Sequence, residues 1–364
     1  YSHGKEHRQM LKWIGKTILI IFGITILYLL TWPTGIDPVA WSPKKAPGIV
    51  GIYAHNKLLS KTQIIGKGIG VGPEDIGVDI QGRIYAPYEG GKIFRYDSDG
   101  TNGKEFVDTK GRPLGLGFDA DGNLIICDSF KGLLSASPSG DLTTLVTEVD
   151  GVLLKFTDDV DIAKDGMIYF SDASIKFDQH NYKQDLLEHR PNGRVISYNP
   201  NTKKAKTIKD NMYFANGVAV SPDQSYLLVV ETGDYKITKI WIAGDKKGNS
   251  EIFMDNLPGI PDGISSSGDG IFWIAFPSRR QEILEKLATK PFLRKVVMRL
   301  PEFLQPAPER YGFVIGVNEK GNVVFNLQDP SPKSYSPITS VEAHNGYLYF
   351  GSLTYNGIGR IPMP

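Results

Sequence analysis

Four short stretches put oxygen-bearing side chains immediately ahead of an apolar run. They are "GPEDIGV" with Glu74 and Asp75, "FTDDVDI" with Asp158 and Asp159, "FANGVAV" with Asn216, and "GIPDGIS" with Asp262. One acid or amide before a strand is an ordinary turn former, as Asp121, Asp165 and Asp223 are. Four at corresponding places invite a different chemistry. Carboxylates that converge in a partly dry space repel one another unless a cation lies among them. An all-oxygen set of carboxylates and an amide suits a hard cation, calcium above magnesium, because calcium accepts irregular shells of six to eight oxygens.

What must bring these residues together is a repeat. "IGVDIQGRIYAPYEGGKIFRYDSDG" is followed by "LGFDADGNLIICDSFKGLLSASPSG" and then by "VDIAKDGMIYFSDAS" resuming at "GRVISYNPNT". "VAVSPDQSYLLVVETGDYKITKIWIAG", "ISSSGDGIFWIAFPS" and "VEAHNGYLYFGSLTYNGIGRIPMP" complete the set. Each unit reads as short strand, tight Gly or Asp turn, apolar-aromatic strand, turn and further strand. Six units at roughly 40-residue spacing predict a six-bladed β-propeller of four-stranded antiparallel blades over residues 48–364. The last unit stops after its third strand, so "KTQIIGKG", ahead of Gly72, is expected to supply the missing strand and close the ring. The innermost strand of every blade then lines the central channel, and the four oxygen positions meet at one mouth of it.

The 364 residues are 41% apolar and 22% charged with a formal net charge of +1, a balance that makes nucleic acid an unsuitable partner. Cys127 is the only cysteine, which excludes an intramolecular disulfide and a cysteine-based metal site; it reads as a small buried strand residue. Ahead of the repeats, residues 17–32 carry no charge. With Trp13, Ile14 and Lys16 they give about 20 helical residues, or about 30 Å, enough to cross a bilayer core. Lys5, His7, Arg8, Lys12 and Lys16 precede this stretch. The positive-inside rule therefore makes 1–16 a cytoplasmic tail, 17–32 a transmembrane signal anchor and 33–47 a linker. The propeller falls on the extracytoplasmic side: the periplasm, or the lumen or cell surface in a eukaryote. A cleaved signal peptide is the competing reading, with only a poor small-x-small site to support it.

The stretches "FTDDVDIAKDGMIYFSDAS", "LLEHRPNGRVISYNP", "FANGVAVSPDQSYLLVVET" and "LPGIPDGISSSGDGIFWIA" resemble the strictosidine synthase-like group. That group includes the adipocyte plasma membrane-associated proteins and belongs to the wider paraoxonase and gluconolactonase superfamily of six-bladed propellers. The resemblance implies a calcium ion in the channel held by Glu74, Asp158, Asn216 and Asp262. Two departures stand out: Asp158 occupies a position that is usually Asn, and Gly263 follows Asp262 where paraoxonases have Asn. Strictosidine synthase itself needs a Glu five residues ahead of the histidine matched by His344, and here that position is Thr339. Condensation of an amine with an aldehyde is therefore not expected. The His pair of paraoxonases is also missing, since "LIICDSFKG" offers Asp128 instead.

What remains is metal-polarised hydrolysis of an ester or lactone, with a channel carboxylate activating water. Asp262 is the first candidate for general base, following gluconolactonase-type relatives, and Asp128 the second. His189, after a loop that can reach over the mouth, is a candidate substrate contact. Residues 281–304 break the β pattern, with apolar positions at helical spacing among Lys286, Lys290, Arg294, Lys295 and Arg299. Pro291 is expected to divide them into two short helices, inserted in blade five, that act as a lid, as a second membrane contact beside the N-terminal helix, or as flank packing. The other function class is a non-catalytic propeller, calcium-stabilised, that serves as a membrane-bound binding module.

Overall fold

The computed structural model describes residues 2–364, with side chains from His7 onward. Six four-stranded antiparallel sheets follow one another around an axis. Their inner strands are Gly77–Val78, Pro113–Phe118, Thr157–Ile162, Ala215–Val220, Ile264–Ser266 and Val341–His344. The sixth blade takes its outer strand from the start of the repeat region. Gln63–Ile65 pairs antiparallel with Ile358–Pro362 in the register Gln63 to Arg360 and Ile65 to Ile358. The ring is thereby closed by the stretch that the sequence leaves over, and no blade is left with only three strands.

There is no single core. Six apolar clusters lie between successive blades, one per interface. Leu228, Val230, Phe272 and Phe313 fill the space between blades four and five, and Trp273, Leu348 and Phe350 that between five and six. Strands with alternating apolar faces bury both of them in this way, because each sheet packs on two neighbours. Cys127 lies in the cluster between blades two and three, as expected for a small buried strand residue, and burial pushes its thiol well above its ordinary pKa.

Helix α1, Ser2–Thr31, stands apart from the ring. Within it residues 7–31 contain an 18-residue stretch with a mean hydropathy of 2.0 and no buried share, so that the helix is long and apolar enough to cross a membrane. Over the channel mouth lies a helical cap. It comprises α2, Tyr182–Glu188, and the blade-five insertion with α3, Glu282–Ala288, and α4, Pro291–Arg299, where Pro291 opens α4 as expected. Residues 33–47, read above as a linker, are part of this cap. The Val39 N–H donates to Glu188 O at 3.1 Å and the Trp41 N–H to Ala288 O at 3.1 Å, while Ile36 is buried with Phe177 and Leu187.

Candidate metal centre and active site

Setting the six inner strands side by side gives one residue per blade at the mouth: Glu74, Leu114, Asp158, Asn216, Asp262 and Thr339. All six line one cavity of about 190 Å³ under the cap. In blades two, three and four the pairing register slips between Pro113 and Leu116, between Thr157 and Val160, and between Ala215 and Val218. A β-bulge of this kind re-aims the residues it contains, and here it contains Leu114, Asp158 and Asn216.

The next residue in each strand turns sideways. Asp75 accepts the Leu116 N–H of blade two at 2.9 Å, and Asp159 accepts the Val218 N–H of blade four at 2.8 Å. One ring further down, Asp161 accepts the Val220 N–H at 2.7 Å. Glycines occupy the corresponding places in blades two, four and five, where strands touch backbone to backbone. A Cβ on Gly217 would stand 2.4 Å from Ile264 N, and one on Gly263 2.6 Å from Thr339 O. The two acids of each pair therefore do different things. Glu74 and Asp158 face the cavity, while Asp75 and Asp159 fasten one blade to the next.

The mouth carboxylates disturb one another. Burial first, then Asp262 and Asp75, push the Glu74 carboxyl well above its ordinary range, against the pull of Arg112. Asp158 is raised by burial, then by Glu74 and Asp262. Burial lifts Asp262 to about 7, opposed by the Asn216 amide. Arg112, which precedes the inner strand of blade two, is the nearby cation that the sequence reading overlooked. It is buried, its Nη1 donates to Gly72 O at 3.0 Å, and its Nε and Nη2 have no hydrogen-bond partner among the described residues. Its signal was the "GRP" just before an inner strand.

Among the described residues no three His, Cys, Asp or Glu side chains form a preassembled metal cluster. The donor chemistry nonetheless fits a hard divalent cation. Three carboxylates and an amide face one cavity; Asp262 raises the pKa of Glu74 and of Asp158, and Glu74 raises that of Asp158. Such charges are relieved by a cation or by protons.

Two sequence candidates fall outside this cavity. Asp128 is fully buried at the end of its strand. Its oxygens accept from Thr109 Oγ1 at 2.6 Å and from the N–H groups of Arg112, Phe130 and Lys131 at 3.0–3.1 Å. Asp172 accepts from Phe156 N and Glu231 from Tyr213 N at the equivalent strand ends, so Asp128 is one of a repeated set of turn locks and not a base. His189 is sandwiched between Trp41, with ring centroids 3.8 Å apart and planes 11° apart, and Tyr213 at 4.6 Å. Burial, then Arg294 and Lys236, lower its pKa to about 3. It supports Trp41, and it is Trp41 that reaches the cavity. Thr339 also lines the cavity, and its hydroxyl donates to Glu74 O at 2.7 Å.

The strictosidine synthase family model matches residues 158–245, and the strictosidine synthase-like N-terminal model matches residues 51–96. The protein strictosidine synthase-like 6 of Arabidopsis thaliana is 36% identical over 94% of this chain and 93% of its own length. The adipocyte plasma membrane-associated protein of Rattus norvegicus is 30% identical over 90% of this chain and 93% of its own length. Among solved structures, a gluconolactonase of Xanthomonas campestris superposes with a TM-score of 0.62 at 17% identity, covering 90% of this chain and 98% of that one. A calcium-binding regucalcin of Agrobacterium tumefaciens gives 0.56 at 14% identity, covering 85% and 94%. At such identities the structural likeness is one of fold.

Proposed function

The chain belongs to the strictosidine synthase-like family, and we propose that it is a membrane-anchored, calcium-dependent hydrolase of apolar esters or lactones. The observation that carries the reading is the composition of the cavity. Glu74, Asp158, Asn216 and Asp262 lie at its floor, and Leu114, Phe156, Phe214, Tyr235 and Leu284 are among its walls. The gluconolactonase and regucalcin likenesses support hydrolysis and calcium; the length and hydropathy of α1 support the anchor.

Those four residues would hold the calcium, which when bound supplies Lewis acidity toward a substrate carbonyl oxygen. The apolar walls orient the acyl or aryl group and keep bulk water out. Asp262 takes one proton from the water that attacks the carbonyl carbon. As the carbon–oxygen bond to the leaving group breaks, that proton passes to the departing alkoxide, and Asp262 is ionised again. Thr339 argues against the synthase reaction: its hydroxyl is engaged by a backbone carbonyl, and it cannot serve as the acid–base carboxylate that condensation needs.

The test is a panel of aryl esters and lactones of increasing chain length, with and without calcium, on the full chain. Turnover is expected only with calcium, with a fall of about a hundredfold or more in Asp262→Asn, the scale of losing a general base. Condensation of a tryptamine-like amine with an aldehyde is expected to be absent. An Asp262→Asn variant that holds calcium and hydrolyses like wild type would move the base elsewhere. No turnover of any ester or lactone would favour the binding-module reading.

A further inference from the structure

We propose that the cap face carrying α4 and the Phe303–Leu304 tip is a membrane dock. It would hold the cavity mouth against the bilayer that α1 crosses, so that substrates arrive from the lipid. The inference rests on the reading of α1 as the anchor and of the cavity as the site, and it adds the source of the substrate.

The first support is position. The last carbonyls of a helix have no intrahelical partner. α1 has no basic residue of its own in its last turn, and Arg299 of α4 serves instead. Its Nε donates to Trp32 O at 2.6 Å and its Nη1 to Leu29 O at 2.8 Å. This places a cation where the helix dipole is negative and ties α4 to the point where the chain leaves the hydrocarbon.

The second support is exposed apolar surface on the insertion whose Arg299 holds that end of α1. Phe303 is 84% exposed, Leu304 57%, Phe292 53% and Ile283 52%, and Trp32 at the helix end is 60% exposed. Four large apolar side chains left exposed within one short insertion point to an interaction surface. Lys290 lies exposed along the same insertion, as does Lys286, which is paired with the exposed Glu282 at 2.6 Å; apolar residues mixed with exposed basic ones settle at a headgroup boundary. Trp32 and Tyr28, with ring centroids 5.7 Å apart, supply the aromatic pair usual at that depth.

The third support is that the same insertion roofs the cavity. Leu284, Ala288 and the run Gln305–Pro308 line it, while Phe303 and Leu304, next in the chain, point outward. One element thus joins the exposed face to the mouth.

The experiment uses the full chain in phosphatidylcholine–phosphatidylglycerol vesicles, with an environment-sensitive fluorophore on Phe303→Cys. Cys127 is fully buried and does not compete for label. Ile80→Cys is the control, because Ile80 is 93% exposed just beyond the other end of the blade-one inner strand. A blue-shifted emission at 303, quenched by lipids spin-labelled near the headgroup, with neither effect at 80, is the expected result. An unquenched, water-like label at 303 on protein that floats with the vesicles overturns the dock alone, and protein that fails to float overturns the anchor and the dock together. A blue shift without lipid quenching means that a protein surface covers the face, and it also overturns the dock. None of these readouts needs turnover, so they stand apart from the hydrolase assay. Where esters are hydrolysed, Phe303→Ser with Leu304→Ser is expected to raise KM for a long-chain ester in vesicles and leave a short soluble ester unchanged.

Discussion

Asp158 and Asp159 are adjacent, yet one contributes to the cavity and the other to the ring. Replacing Asp159 with Ala leaves the buried Val218 N–H without its acceptor, which costs about 1–3 kcal/mol. The expected outcome is a lowered melting temperature with calcium affinity retained; loss of calcium with unchanged melting would reverse the two roles. The pKa shifts make a second prediction. Glu74 and Asp158 are raised well above the carboxylate range, Asp262 to about 7 and Asp75 to about 6. Folded-state values above the unfolded ones mean that the native protein binds more protons. Chelated protein should therefore melt at a higher temperature as pH falls from about 8 to about 5, the gain being complete below the unfolded carboxylate range. With excess calcium the slope should reverse, because the bound carboxylates must then be protonated against the metal. A chelated protein whose melting falls on acidification would contradict the mutual repulsion of these groups. That four oxygen positions correspond was legible in the sequence, since strand-entry motifs repeat in register. That only one acid of each pair faces the cavity was not, because a bulge and a glycine on the neighbouring blade decide it.

At the scale of elements, the strand at Gln63–Ile65 was legible because the last unit runs out one strand short. The role of residues 33–47 was not. A Pro-rich stretch after an apolar helix reads as a spacer, and only its contacts with Glu188, Ala288 and His189 reveal a roof. His189 was mistaken for a substrate contact for the same reason: its neighbour across the stack, Trp41, is far away in sequence. A chain beginning at Pro33 is thus expected to fold and keep its affinity for substrate, whereas one beginning at Pro47 should keep the blades but lose Trp41. The cost of the lost stack is roughly 0.5–1.5 kcal/mol, read as a raised KM and a lower melting temperature. Equal KM values for the two truncated chains would mean that Trp41 does not shape the site.

For the whole molecule, the ring brings residues from blades one, three, four and five to one point, although nearly 190 positions of chain separate Glu74 from Asp262. Closure by Gln63–Ile65 fixes the spacing of that point, and the cap and the end of helix α1 stand on one side of it. A cation bound there would stabilise the whole ring by mass action, and the proposed metal binding would then be linked to folding. The most direct measurement is a calorimetric titration of calcium into chelator-stripped full chain, beside Glu74→Gln and Asp158→Asn. Saturable binding by wild type, weakened in both variants while each stays folded, is the predicted result. No binding by folded wild type, or binding unchanged in both variants, would contradict the account.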